Sequence, residues 1–125
     1  MKVDSDFIRQ ILLAMEDEDD YLISSHHLMQ KLNIKGHDLE RKFMGHILIL
    51  ADKDLIESFS SKYPFGFVYC VGGEYSIIDV GYRLTARGYE LIDILKNEKL
   101  FNKVKDYTLS NAFDIAKQIL LNKVK

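Results

Sequence analysis

Reactive and cross-linking side chains are scarce in this sequence of 125 residues, which has one cysteine, one proline and no tryptophan. Because Cys70 is alone, the chain can form neither an internal disulfide nor a zinc site built from several thiolates. The histidines His26, His27, His37 and His46 include no pair spaced to bind a metal from one helical face. Glycine-rich phosphate loops, nucleophile elbows and Cys–His arrangements are missing as well. We therefore expect a protein that is not an enzyme and needs no cofactor or metal.

Long apolar runs are also missing, since none approaches the roughly 20 residues that a membrane-spanning helix needs. Residues 1–6 lack the basic start and the cleavage site of a secretory signal. We expect a cytoplasmic protein that does not associate with a membrane. The length fits one domain over residues 1–125. Its core is expected at about residues 5–95, followed by a C-terminal helical extension at about 96–125.

The formal net charge is −2, so the protein does not present a positive potential over its whole surface. Residues 1–25 hold seven acidic and two basic side chains, whereas residues 96–125 hold seven lysines and three acidic side chains. Such a distribution could orient a partner or pair the two ends of the chain in a dimer. Solvated faces of terminal helices are the more ordinary explanation. The acidic run Glu16–Asp20 lacks the glycine and the closing glutamate of an EF-hand loop, so we expect no metal there.

The apolar spacing predicts an α+β domain in which helices surround short strands. Helices are predicted from Asp4 or Ser5 into the acidic run, over 26–32, 38–53 and 86–97 with a continuation to 104, and from Ser110 or Asn111 onward. Strands are predicted over 21–23, 55–59 and 82–85, with a hairpin of 67–71 and 75–80 around Gly72-Gly73-Glu74.

The third predicted helix, residues 38–53, follows a glycine-containing turn, as the second helix of a helix-turn-helix does. At 100° per residue its core stripe comprises Leu39, Phe43, Ile47, Leu50 and Ala51, broadened by Met44 and Leu48. The opposite face carries Asp38, Arg41, Gly45, Ile49 and Asp52, flanked by Lys42, His46 and Lys53. A helix that reads DNA needs cationic or amide side chains and attraction to phosphate. This face carries both acidic and basic side chains, so its charge gives only partial support for DNA binding.

Gly45 is unusual within this face, because a glycine inside an exposed helix costs about 1 kcal/mol relative to alanine. The cost is easier to accept if another group approaches the helix closely there. Ile49, one turn further on, adds an apolar contact point. A docked partner, DNA, or another part of the same chain would each explain the pair.

The stretch Tyr82-Arg83-Leu84-Thr85-Ala86-Arg87-Gly88-Tyr89-Glu90-Leu91-Ile92-Asp93 reads as a strand that runs directly into a helix capped by Thr85. It resembles the last wing strand and following helix of bacterial winged-helix regulators related to MarR and PadR. With residues 2–14 and the block Phe101-Asn102-Lys103-Val104-Lys105, the chain is similar over nearly its full length to a family of small, uncharacterised winged-helix-like proteins of bacteria and their phages. Members commonly place tryptophan in the last block, where this chain has Phe101. The resemblance implies a winged helix-turn-helix with an extended β-wing and additional C-terminal helices, and it implies no catalytic residues.

Two functions fit these features. The first is a winged-helix regulator that binds double-stranded DNA through Arg41, Lys42 and His46 of the third helix and Lys62 of the wing. The second is a protein-interaction module, such as a phage or mobile-element protein that binds a host protein through Arg41, Gly45 and Ile49. The apolar last helix would pack on the first helix or form a homodimer, and we favour the dimer.

Overall fold

The computed structural model describes residues 1–105. The predicted last helix, and the homodimer predicted through it, lie outside these residues. Within them the α+β prediction is confirmed, with five α-helices and two small antiparallel sheets. The helices are α1 (Ser5–Glu16), α2 (Ser25–Lys31), α3 (His37–Asp52), α4 (Ala86–Leu95) and α5 (Glu98–Val104).

Four of these helices begin where a side chain accepts a hydrogen bond from the first helical turn, which satisfies an otherwise free backbone N–H. The capping residues are Asp4, Ser24, Thr85 and Asn97. Helix α3 differs, since it follows Gly36 at φ 87° and has no side-chain cap. The glycine therefore provides the sharp turn between α2 and α3 that a residue with a Cβ would adopt only with strain.

The strands are β1 (Leu22–Ser24), β2 (Ile56–Ser58), β3 (Phe67–Tyr69), β4 (Tyr75–Ile77) and β5 (Gly81–Leu84). A three-stranded antiparallel sheet has the order β1–β5–β2, with Tyr82 opposite both Ile23 and Ser58. Strands β3 and β4 form a separate hairpin. The hairpin strands are shorter than predicted, because Val71–Gly73 form a 3₁₀ turn at one end and the N–H of Val80 bonds to the Ser25 hydroxyl at the other.

The core lies between the helices and the inner face of the three-stranded sheet. Tyr82 is fully buried at its centre, and its hydroxyl donates to the carbonyl of Phe65. Burial raises the pKa of this phenol well above its ordinary value, so the hydroxyl stays a donor. The core continues past residue 95, because Leu100, Phe101 and Val104 of α5 are buried with the rest.

Helix α5 is tied to α1 as well as packed against the core. The guanidinium of Arg9 lies 5.1 Å from the centre of the Phe101 ring, and its Nε donates to the carbonyl of Leu95 at 2.8 Å. The Ser5 hydroxyl donates to the carbonyl of Lys105 at 2.6 Å. The helices described here include none long and apolar enough to cross a bilayer.

Candidate functional site

An open cleft of about 330 Å³ lies between α3 and the β3–β4 hairpin. Its walls combine apolar, aromatic and charged side chains with the exposed backbone of the hairpin turn. The lining residues are Arg41, Met44, Gly45 and Leu48 from α3, and Tyr69, Cys70, Gly73, Glu74 and Tyr75 from the hairpin. Apolar walls with a few polar groups are typical of a site that binds a ligand or a partner segment.

The hairpin is held beside α3 by an aromatic contact at the start of the helix. The rings of Tyr75 and His37 stack with their centres 5.3 Å apart, and the Tyr75 hydroxyl lies 3.2 Å from His37 Nδ1. Desolvation, then the nearby Glu40 carboxylate, raises the pKa of the Tyr75 phenol, which favours its neutral form. Tyr69 stands opposite Tyr75 across the hairpin and is 67% exposed. One tyrosine therefore anchors the hairpin, and the other is left available at the cleft.

Gly45 is covered by the first residue of the chain. A Cβ added at Gly45 would lie 2.6 Å from Met1 Sδ and 3.0 Å from Met1 Cε. The group that approaches this glycine is therefore a flexible side chain of the same protein. Met1 itself remains 73% exposed, so it covers Gly45 without closing the cleft.

Lys42 is turned toward the start of α1. Its Nζ lies 2.7 Å from Asp4 Oδ2 and 4.9 Å from the centre of the Phe7 ring. This hydrogen bond and the one from the Phe7 backbone N–H lower the pKa of the Asp4 carboxyl. The carboxylate offsets the charge of Lys42, which weakens its attraction for a phosphate.

His46 corrects the predicted face of α3, because the structure buries it completely. Its Nε2 accepts from the Asp4 backbone N–H at 2.9 Å, and its Nδ1 lies 2.8 Å from the Lys42 carbonyl. The accepting Nε2 assigns the ring hydrogen to Nδ1, which donates to that carbonyl. The ring also packs 5.1 Å from that of Phe7. The start of α1 covers this flank of α3, so His46 joins the two helices and presents no surface to DNA.

The remaining predicted residues are dispersed. Arg41 is exposed and lines the cleft, whereas Ile49 is half-buried and is not among the cleft-lining residues. Lys62 is exposed in the loop before the hairpin, with Nζ 5.3 Å from the Tyr63 ring centre. Of the predicted set, the structure brings only Arg41 and Gly45 together in the cleft.

Sequence reasoning missed the hairpin side of the cleft and misplaced one residue on the helix. Leu48 was predicted to broaden the core stripe, yet it is 38% exposed and faces the cleft. Tyr69, Glu74 and Tyr75 were not predicted as site residues. Their signal was present, since alternation about a Gly72-Gly73 turn places the two tyrosines on one face of a hairpin.

The residues that line the cleft include one acidic side chain, Glu74, and one basic side chain, Arg41. Asp38 and Asp52 are exposed on α3, Glu40 is half-buried there, and Glu74 is exposed on the hairpin. Arg41 is the basic residue among those that line the cleft. In the part of the chain described here, no group of three or more metal-binding side chains is assembled.

Fold and cleft together define a small α+β protein with an open groove between a helix and a β-hairpin. The chain belongs to the family of hypothetical proteins DUF2513, whose family model matches residues 2–114. Comparison with curated proteins and with solved structures gave no match.

Proposed function

We propose that this chain is a non-enzymatic winged-helix protein of bacterial or phage origin that binds another protein through the cleft between α3 and the hairpin. The observation that carries the proposal is the composition of the cleft. Leu48 and Tyr69 are exposed apolar groups on opposite walls. Exposed apolar side chains that converge on one groove favour a protein partner over a phosphate backbone.

The winged-helix assignment is supported by the order of elements. Helix α1 precedes two helices joined by a tight turn, α2 and α3, and a β-rich segment then leads through β5 into α4. Asn33 at φ 55° and Gly36 at φ 87° make the turn between α2 and α3. A short turn of this kind is typical of a helix-turn-helix.

The state of the cations on α3 argues against DNA as the partner. DNA-binding helices owe most of their affinity to cations that neutralise phosphates. Here Lys42 is paired with Asp4 and His46 is buried, while Asp38 and Asp52 are exposed on the same helix. Arg41 is left as the available cation at the cleft, which is too little for tight binding to a duplex.

DNA binding remains the second candidate, since the order of elements favours it. The regulator hypothesis would place Arg41 against the duplex, with Lys62 reaching the backbone from the loop before the hairpin. The two candidates predict different results. Binding to DNA should depend on the basic residues and weaken with salt, whereas binding to a protein should depend on the exposed apolar residues of the cleft.

The test is to measure duplex binding and protein capture with the same purified variants. We expect weak duplex binding that disappears at physiological salt, and a protein captured from a lysate of the source organism. Leu48→Ser and Tyr69→Ser should each weaken that capture about tenfold, because they remove the exposed apolar walls. Tyr89→Ser is the matched control, since Tyr89 is 43% exposed on α4 and does not line the cleft.

The opposite pattern would establish the DNA candidate. Duplex binding that survives physiological salt, and that is lost when Arg41 and Lys42 are both replaced by alanine, would overturn the proposal. If wild type and both serine variants capture the protein equally well, the cleft does not take part in the interaction.

A further inference from the structure

We propose that a second surface, formed by Tyr21, Leu22 and Phe59, binds an amphipathic partner segment that carries apolar side chains together with lysine or arginine. This surface, the sheet patch, lies on the outer face of the three-stranded sheet. It does not include the α3 cleft, and the proposal goes beyond the function proposed for that cleft.

The sheet patch results from the pleat of the sheet. Ile23, Ile56, Tyr82 and Leu84 point into the core, so their neighbours along each strand point outward. Phe59 extends β2 by one residue, because its N–H donates to the carbonyl of Gly81 at 2.9 Å. Leu22 and Phe59 therefore occupy outward positions, and Tyr21 lies beside them immediately before β1.

Gly81 allows these side chains to come together. A Cβ at this position would lie 2.5 Å from Leu22 Cδ1 and 3.5 Å from Phe59 Cδ2. The absent side chain lets Leu22 and Phe59 lean over the middle strand from its two sides. The ring of Tyr21 meets that of Phe59 edge to face, with centres 6.4 Å apart. The three residues form one continuous surface.

This surface is exposed to an unusual degree for its composition. Tyr21 is 65% exposed, Phe59 is 57% exposed and Leu22 is 39% exposed. Single exposed apolar residues are common on soluble proteins, whereas a contiguous group containing two aromatic rings marks an interaction site. Aromatic side chains of this kind supply much of the affinity of protein interfaces.

The border of the sheet patch is acidic on the side of β1, and this charge is the basis for the partner chemistry that we infer. Asp19 and Asp20 directly precede Tyr21, and both are exposed. They take part in no ion pair among residues 1–105. On the other side the cation of Arg83 is offset by Glu57, with Nη2 and Oε2 2.7 Å apart. An apolar centre beside carboxylates that have no ion-pair partner among residues 1–105 favours an amphipathic segment with cationic flanks.

The experiment uses the full chain and two defined probes. The first probe is a fluorescent amphipathic leucine and lysine peptide of about 18 residues, and the second has glutamate in place of every lysine. We expect the chain to bind the lysine probe and not the glutamate probe. Phe59→Ser should weaken the binding about tenfold, and replacing Asp19 and Asp20 by asparagine should weaken it several-fold and reduce its salt dependence.

Leu48→Ser and Tyr89→Ser are the matched controls and should leave the affinity unchanged, because neither residue belongs to the sheet patch. Weakening by Leu48→Ser instead of Phe59→Ser would mean that the probe enters the α3 cleft, and it would overturn the proposal. Equal affinity of all variants for the lysine probe would show nonspecific adsorption, and this result would also overturn the proposal. Thermal unfolding of each variant checks that the fold is intact.

A further variant tests whether the chain covers the patch itself. The sequence has no tryptophan, so Phe59→Trp gives a single reporter. Emission at the wavelength of exposed tryptophan that shifts to the blue when the lysine probe is added would support the proposal. The opposite result would be emission characteristic of a buried ring before any probe is added, together with no binding of the probe by wild type. It would show that this protein's own chain covers the patch, and it would overturn the proposal of an external partner.

Discussion

Asp4 links two helices through three different interactions. Its side chain caps α1 and accepts from Lys42 of α3, while its backbone N–H donates to His46 of the same helix. The carboxylate therefore serves both as a helix cap and as an anchor for α3. Both interactions are stronger when the carboxyl is ionised, so they depend on pH.

We expect Asp4→Asn to reveal this dependence. Hydrogen bonding lowers the folded-state pKa of Asp4 below its ordinary value of 3.8. A group whose pKa is lowered by folding stabilises the fold fully above the unfolded pKa and loses that contribution as the pH falls through the folded pKa. The stability difference between wild type and Asp4→Asn should thus be constant near neutral pH, shrink below about pH 4 and vanish in stronger acid. Urea unfolding at a series of pH values measures it, and a difference that grows on acidification would contradict the assignment.

His46→Leu should destabilise the protein, although leucine fills a similar volume. The substitution leaves the Asp4 N–H without its partner in a part-buried place and removes the second hydrogen bond at the Lys42 carbonyl, at a cost of about 2 kcal/mol. The free energy of unfolding in urea is the measurement. Gln30→Leu is the control, because Gln30 is exposed on α2 and should change stability by no more than about 0.5 kcal/mol. Equal effects of the two changes would contradict the structural role of His46.

His46 also shows what the helical period cannot predict. The helical period placed His46 on the flank of the exposed face of α3, whereas the structure buries it completely. What decided its burial was the start of α1, which reaches His46 across 42 residues of sequence. Leu48 is the reverse case, since its apolar character indicated the core while its side of α3 faces the open cleft. Contacts between distant segments determine both outcomes, and local spacing contains no information on them.

At the scale of elements, two glycines in helices have opposite structural meanings. A Cβ at Gly88 of α4 would lie 2.3 Å from the carbonyl oxygen of Leu55, which is a backbone atom. A Cβ at Gly45 of α3 would meet only the movable end of Met1. The first glycine therefore permits close packing of α4 on the turn after α3, and the second does not require the absence of a side chain.

We expect Gly88→Ala to lower the free energy of unfolding by about 2 kcal/mol, because the backbone of α4 or of the turn must move. Gly45→Ala is its matched counterpart and should raise stability by up to about 1 kcal/mol, since alanine is the better helix former and Met1 can shift. Parallel urea titrations compare the two variants. Destabilisation of similar size at both positions would mean that Met1 is held as rigidly as the Leu55 backbone.

Helix boundaries were predictable from sequence because their causes are local. Thr85 caps α4 as predicted, and Asp4, one of the two residues predicted to begin the first helix, caps α1. The partners of each strand were not predictable. Strand β5 lies between β1 and β2, so its neighbours are separated from it by long stretches of chain. The same limit applies to the cleft, because the hairpin contacts α3 through residues far apart in the sequence, such as Tyr75 and His37.

At the scale of the whole molecule, α5 belongs to the same core as the helices before it. Phe101 is 4% exposed and is covered by the guanidinium of Arg9 from α1. The first and last helices of residues 1–105 therefore hold each other in place. Residues this far apart in sequence and this closely packed should unfold together.

Phe101→Ala should accordingly lower the stability of the whole fold by about 4 kcal/mol, through lost burial and the cavity left behind. Far-UV circular dichroism and tyrosine fluorescence should report the same lowered midpoint in urea. Tyr89→Ala serves as the control, because Tyr89 is 43% exposed. A separate early transition, with the main midpoint unchanged, would mean that α5 unfolds independently.

Cys70 lies on the rim of the α3 cleft, is exposed, and is the single cysteine of the sequence. A thiol-reactive dye will therefore label the unaltered protein at one defined position beside the candidate site. Occupancy of the cleft can then be followed optically, in real time and without any substitution that alters the groove.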